Sequence, residues 1–212
     1  MLTIIISVLS EMEFKLCAVR EFLSVLMATF MWWFAFSGLV NFWYGIFLAA
    51  AVLIALSITD VETMESLDPS WTDVAIGAVS GFLLYLLFLY SARTIHFAFP
   101  FLYMEVESVE ALKMLAPGYI YVPVTLTVSV AEEFFWRGFI LRRLYRRMKW
   151  GGFVLSILFY ALAHVPTGNA SLVFAALGAG LVWSALFIWR RNLLVTIVSH
   201  VIWDTLLLLG GL

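Results

Sequence analysis

Ala131-Glu132-Glu133-Phe134-Phe135-Trp136-Arg137 sets two adjacent carboxylates and an arginine inside an otherwise apolar run that begins near Tyr119. An ionised carboxylate in hydrocarbon is costly, and such groups mark functional sites with a partner nearby. On a helix, Glu133 and Arg137 are four apart and share a face, so they can pair. Glu132 is rotated about 100° away and is left for other work. The run therefore reads as a membrane helix carrying the catalytic centre of an intramembrane enzyme.

The composition supports a membrane protein. Of 212 residues, 64% are hydrophobic, 17% aromatic and 12% charged. Soluble domains run at roughly 45–50% apolar and about 25% charged. The single cysteine, Cys17, excludes an intramolecular disulfide and a cysteine-based metal site. Nothing resembles a nucleic-acid surface, because the basic residues of 142–149 lie beside a membrane helix, where topology accounts for them. Residues 2–9 are apolar but too short to span. They are followed by Glu11 and Glu13 and lack the basic start and cleavage site of a signal peptide, so an interfacial or docking segment is expected.

At about 20 residues per crossing, the hydropathy pattern predicts seven spans, at 21–40, 42–58, 74–92, 119–141, 153–164, 171–189 and 193–209. Asn41 and the Pro166-Thr167-Gly168-Asn169 stretch mark turns, and Pro69-Ser70 helps start the third span. Gly151-Gly152 is expected to break the helix after the basic cluster. Gly178 and Gly180 are expected to let helices pack closely. The acidic stretch 60–73 reads as a solvated loop. Residues 105–115 read as an amphipathic surface helix ended by Pro117-Gly118. The expected fold is all-α: a polytopic transmembrane helical bundle of about seven spans plus amphipathic surface helices, one integral membrane domain over 1–212. The positive-inside rule puts 142–149 in the cytoplasm, together with Lys15, Arg20, Arg190, Arg191 and the N-terminus. Arg93 and Lys113 then fall outside.

Polar residues on different helices form a site only at similar depths. At 1.5 Å per residue, counted from the inner span ends, Glu132 and Glu133 lie roughly 12–14 Å in, Asp204 about 16 Å, His200 about 10 Å and His164 about 18 Å. The five share one layer, expected nearer the cytoplasmic face. Glu132 with His164 could bind and deprotonate a water. Asp204 and His200 are four apart on one face. Asp204 could orient His200, or both could contact a developing oxyanion. Together they describe hydrolysis of an acyl bond, a peptide bond above all, within the membrane. A serine triad built on Ser129 or Ser199 lacks any Gly-x-Ser-x-Gly elbow. Two histidines and a glutamate also form a zinc set in principle, although Arg137 opposes a cation there, so no cofactor is expected and zinc is the minor alternative. A proton relay or transporter would use the same carboxylates, and no inverted repeat is evident; a non-catalytic membrane factor that confers immunity by binding a peptide or partner is the other alternative. His96, beside Arg93 at a span end, reads as structural.

Glu132-Glu133-x-x-x-Arg137, then an aromatic-x-x-x-His ending at His164, then His200-x-x-x-Asp204 resembles the CPBP family. These are CAAX-prenyl proteases and bacteriocin-processing or Abi proteins, glutamic-type intramembrane endopeptidases. The resemblance covers about 119–204, within a family-like core of about 119–209. It implies that Glu132 is the water-activating base assisted by His164, that Glu133 and Arg137 support the site, and that His200 and Asp204 stabilise the oxyanion. Two positions depart from the family pattern. Tyr160 stands where phenylalanine is usual, and is expected to bind substrate. Asp204 stands where asparagine is frequent, and an acid is a poorer oxyanion donor unless protonated. The resemblance further implies a membrane-associated protein or peptide as substrate, and residence in a prokaryotic inner membrane.

Overall fold

The computed structural model describes residues 2–116 and 120–210, with side chains from residue 18 onward. The expected interfacial segment 2–9 has its side chains outside that description. The Pro117-Gly118 stop and the Tyr119 start of the fourth span lie outside the described residues. Among the described residues every regular element is helical: α1 (Leu2–Phe36), α2 (Phe42–Ile58), a short α3 (Val61–Glu65), α4 (Trp71–Ala98), α5 (Pro100–Ala111) continuing as a 3-10 turn (Leu112–Leu115), α6 (Tyr121–Glu132), a π-helical stretch (Glu133–Leu141), α7 (Arg142–Met148), α8 (Trp150–His164), α9 (Ala170–Arg190) and α10 (Leu193–Gly210). Five are long and apolar enough to cross a membrane: Ala18–Phe36, Trp71–Ala98, Trp150–Thr167, Ala170–Arg190 and Leu193–Gly210. Phe42–Ile58 is apolar but shorter. The run carrying the glutamates is one rod over 121–148, α-helical at both ends and π-helical between. The protein is an all-α membrane bundle.

Local sequence sets the helix ends. Asn41 caps α2 by accepting from Trp43 N at 3.0 Å. Ser70 caps α4 by accepting from Asp73 N at 3.3 Å, and Asn169 caps α9 by accepting from Leu172 N at 2.8 Å. Each is a short polar side chain serving an orphan amide of the first turn. Gly168 before Asn169 adopts φ 71°, a left-handed conformation that glycine reaches without strain. The break after the basic cluster falls at Lys149 (φ 52°), not at Gly151-Gly152, which lie inside α8. Gly152 instead packs against the Leu144 backbone, where a side chain has no room.

The 121–148 rod is the hub of the bundle, touching α2, α8, α9 and α10. Ala131, Phe135, Phe139 and Ile140 on it are fully buried, as is Trp183 of α9. The outer surface is apolar: Phe22, Phe30, Phe47, Leu83, Leu162, Phe174 and Leu181 are exposed, as lipid-facing side chains are. Helix α4 lies closely along α10, because a Cβ at Gly77 would sit 2.7 Å from the Val195 carbonyl oxygen and one at Gly81 would collide with that of Ser199. Of the two glycines expected to allow close packing in α9, Gly180 faces Tyr160, whereas Gly178 has only ordinary contact with Phe88 at 3.8 Å.

The acidic stretch 60–73 is solvated only in part: Glu62, Glu65 and Asp68 are exposed, but its first and last acids are not. Asp60 and Asp73 are buried. Asp60 takes Arg142 at 2.6 Å and Arg143 at 3.0 Å. Glu62 pairs with Arg142 and Arg146, and Glu21 with Arg143 and Arg147. Asp73 accepts from Arg190 Nε at 2.6 Å and Asn192 Nδ2 at 2.9 Å. The acids offset the basic cluster, which would otherwise be a desolvated block of like charge. All of these groups gather at one end of the bundle. At the other end α5 and its 3-10 turn form a strap. Trp43 Nε1 donates to Leu112 O at 2.8 Å, Asn169 Nδ2 to Glu105 O at 2.8 Å and Lys113 Nζ to Leu207 O at 2.9 Å.

Candidate active site

Glu132 and Glu133 leave the central rod in different directions. Both are buried, at 3% and 0% exposure. Glu133 Oε1 accepts from Arg137 Nη1 at 3.0 Å and lies 2.8 Å from His200 Nδ1. The expected four-residue pair therefore forms, and it reaches one helix further, to α10. The motif is wound with i→i+5 bonding from Glu133 to Leu141 rather than as α-helix, a local widening that recurs at functional sites. Arg137 is 1% exposed. Its guanidinium carbon stands 4.5 Å from the Tyr160 ring centroid and 5.1 Å from that of Trp183. Two aromatic faces and one carboxylate thus hold the cation.

Glu132 Oε2 accepts a 2.6 Å hydrogen bond from the Tyr160 hydroxyl. Four residues on, His164 Nδ1 lies 2.8 Å from the Tyr160 carbonyl oxygen. A carbonyl only accepts, so Nδ1 carries the hydrogen and Nε2 of a neutral ring keeps its lone pair. Trp32 of α1 packs on the same imidazole, with centroids 4.7 Å apart. Tyr160 thus links the two groups expected to handle water: its hydroxyl fixes Glu132 and its carbonyl fixes the tautomer of His164.

His200 is sandwiched. Trp183 stacks on it with ring centroids 3.7 Å apart and planes 22° from parallel. The Trp183 indole N–H is occupied by Ser199 Oγ at 3.2 Å. His200 Nε2 stands 3.5 Å from Asp204 Oδ2. Asp204 Oδ2 is in turn 2.5 Å from Ser129 Oγ, which also lies 2.9 Å from the Thr125 carbonyl oxygen. Ser129 and Ser199 are therefore both engaged, one with Asp204 and Thr125 and the other with Trp183. Trp183 and Ser129 are partners that the motif spacing does not announce, since neither belongs to a recurrent pattern around the three motifs.

Glu132, Tyr160, His164, His200 and Asp204 line one cavity of about 270 Å³. All seven residues singled out in the sequence are thus brought together: five at the cavity, and Glu133 with Arg137 behind them. The layer does not lie toward the arginine-rich end, as counting from the span ends suggested. The rod continues as helix to Met148, so the bundle extends beyond the assumed end at Leu141. His164 is the last residue of α8 at the opposite end. His96 lies apart from the site, edge-on to Tyr103 with centroids 4.4 Å apart. Among the described residues no three His, Cys, Asp or Glu side chains converge as a metal-ligand set.

Residues 115–206 match the family model described as Type II CAAX prenyl endopeptidase Rce1-like. No curated protein and no solved structure matches the chain. The matched segment contains all three motifs and every residue lining the reactive end of the cavity named above. The matched description is that of an endopeptidase, a protease. Over residues 115–206 this integral membrane protein is therefore similar to the Rce1-like type II CAAX prenyl endopeptidases, a likeness consistent with the CAAX protease family.

Proposed function

We propose that the protein is a glutamic-type intramembrane endopeptidase that cleaves a membrane-associated protein or peptide with water activated by Glu132 and His164. The observation that carries this reading is the shared cavity. A buried carboxylate, an imidazole with a free Nε2 and a second imidazole with an acid beside it all border one space within a largely apolar bundle. Water held between Glu132 and His164 loses a proton to Glu132 as its oxygen attacks the scissile carbonyl. The proton passes to the leaving amine as the tetrahedral intermediate collapses. Charge that develops on the carbonyl oxygen meets His200 and Asp204. Ser129 has one hydroxyl hydrogen and two acceptors in reach. When that hydrogen goes to Thr125, a proton on Asp204 completes the 2.5 Å contact, and Asp204 then resembles in donor character the asparagine frequent at this position. Glu133 and Arg137 hold His200 from behind. Tyr160, expected to bind substrate, borders the cavity by its ring and reaches Glu132 by its hydroxyl.

The resemblance favours C-terminal processing, sorting-tail removal or propeptide cleavage. The resemblance favours a prokaryotic inner membrane, and the basic end of the bundle favours an N-terminus in the cytoplasm. The test is cleavage of a quenched fluorescent apolar peptide by purified protein in detergent. A positioned general base contributes about 10²- to 10⁴-fold, so Glu132→Gln should lose at least a hundredfold in kcat. Equal rates in the two proteins would end the proposal. Treatment with a chelator should leave the wild-type rate unchanged, and loss restored by zinc would favour a zinc peptidase instead.

A further inference from the structure

We propose that the cavity receives its substrate from the extracytoplasmic side, as an extended apolar segment of an exported or membrane polypeptide. What the cavity takes rests on the peptidase reading; the side on which it opens does not. The argument starts from which end is closed. Below Glu132, toward the arginines, the rod fills the bundle with Phe135, Trp136, Arg137, Phe139 and Ile140, none more than 1% exposed. Beyond them come the buried Asp60 pairs with Arg142 and Arg143. Among the described residues no path for a peptide runs that way. The cavity extends in the opposite direction. Its rim is made of Phe42 at the start of α2, Val109 and Lys113 of the strap, Leu172 at the start of α9, and Leu207 at the end of α10. The basic end carries Arg142, Arg143, Arg146, Arg147, Arg190 and Arg191, whereas the rim carries Lys113, beside Glu110, with Arg93 near the same end. The positive-inside rule therefore assigns the closed end to the cytoplasm and the rim to the exterior.

The lining sets the chemistry of the occupant. Between rim and reactive groups the walls are Trp32, Phe36, Ile46, Val128, Ala176 and Trp203. About 270 Å³ admits a few residues of extended chain and no folded element. Flexible or unwound segments just outside a transmembrane stretch meet both conditions. Two substrate sources are excluded by the side alone: peptides confined to the cytoplasm, and tails modified and retained on the inner leaflet.

The test uses the whole chain in membrane vesicles of known orientation. Cys17 is the only cysteine, so Cys17→Ser provides a background for Cys17→Ser/Val109→Cys at the rim and Cys17→Ser/Arg146→Cys at the closed end. A charged, membrane-impermeant maleimide is the probe. Val109→Cys should react in right-side-out vesicles, and Arg146→Cys only in inverted ones. Reaction of Val109→Cys only in inverted vesicles, or only after detergent, overturns the proposal. An impermeant peptide with an uncharged apolar core and lysine ends should then slow Val109→Cys labelling at least threefold when added outside. An unchanged rate overturns the proposed occupant. Cleavage of that peptide in detergent, wild type against Glu132→Ala, reports separately on the peptidase reading. No difference there would sink the catalysis while the labelling still decides the side.

Discussion

Removing Glu133 while keeping Arg137 should cost more stability than removing both. Arg137 Nη1 and Glu133 Oε1 are 3.0 Å apart, at 1% and 0% side-chain exposure. Two unit charges roughly 4 Å apart interact by about 4 kcal/mol at an effective dielectric of 20. Removing one partner of a buried pair costs about 3–5 kcal/mol, because the other charge stays desolvated, whereas apolar replacement of both is often neutral. In Glu133→Leu the guanidinium keeps only the faces of Tyr160 and Trp183. Its Nη2 already lacks a partner. At about 2–4 °C per kcal/mol for a chain of this size, the thermal midpoint in detergent should fall by roughly 6–20 °C. Glu133→Leu/Arg137→Met should recover at least half of that loss. His200 loses its Nδ1 partner in both variants, so the difference between them isolates the stranded cation. Intrinsic tryptophan fluorescence on heating measures both midpoints. A loss under 2 °C in Glu133→Leu, or a double variant no better than the single, would refute the reasoning.

Three further outcomes follow from the same contacts. Tyr160→Phe keeps the ring and removes the hydroxyl that fixes Glu132. A hydrogen bond to a charged group is worth about 1.5–3 kcal/mol, so kcat should fall at least about tenfold with KM unchanged, and a change confined to KM would return Tyr160 to a substrate-binding role alone. Asp204→Asn keeps an acceptor for Ser129 and adds a permanent donor, so kcat should stay within about tenfold of wild type, whereas Asp204→Leu should lose about 10²- to 10³-fold; equal loss in the two would mean that the charge of Asp204 is what matters. Gly81→Ala drives a methyl into the Ser199 carbonyl and should cost about 1–3 kcal/mol, while Gly178→Ala, with nothing closer than 3.8 Å, should gain about 0.4–1 kcal/mol, both read from thermal midpoints.

The sequence carried the site further than it carried the architecture around it. The three motifs singled out Glu132, Glu133, Arg137, His164, His200 and Asp204, which the fold brings together, and helical rise alone put five of the polar residues in one layer. That works because polar groups in an apolar helix are few and each needs a partner. Of the acids in 60–73, Asp60 and Asp73 are buried against expectation because their partners, Arg142, Arg143 and Arg190, lie more than 80 residues away, and no local pattern reports such pairings. The packing glycines expected in α9 were only half right, because Gly180 faces Tyr160 while the close approach of α4 to α10 is made at Gly77 and Gly81, which were not singled out. The stacking of Trp183 on His200 was not legible, since one tryptophan in an aromatic-rich span is indistinguishable from a lipid anchor. The π-helical winding of Glu133–Leu141 also leaves no mark in composition.

The central claim is that Glu132 hydrolyses peptide bonds in the membrane. The most direct measurement compares peptide termini in cells expressing the wild type with those expressing Glu132→Ala, at matched membrane levels. The account predicts new termini in exported or membrane polypeptides with the wild type alone, at bonds next to an apolar segment on the extracytoplasmic side. Identical termini in the two strains, with a host phenotype that persists in both, would contradict it and make the protein a membrane factor that acts by binding.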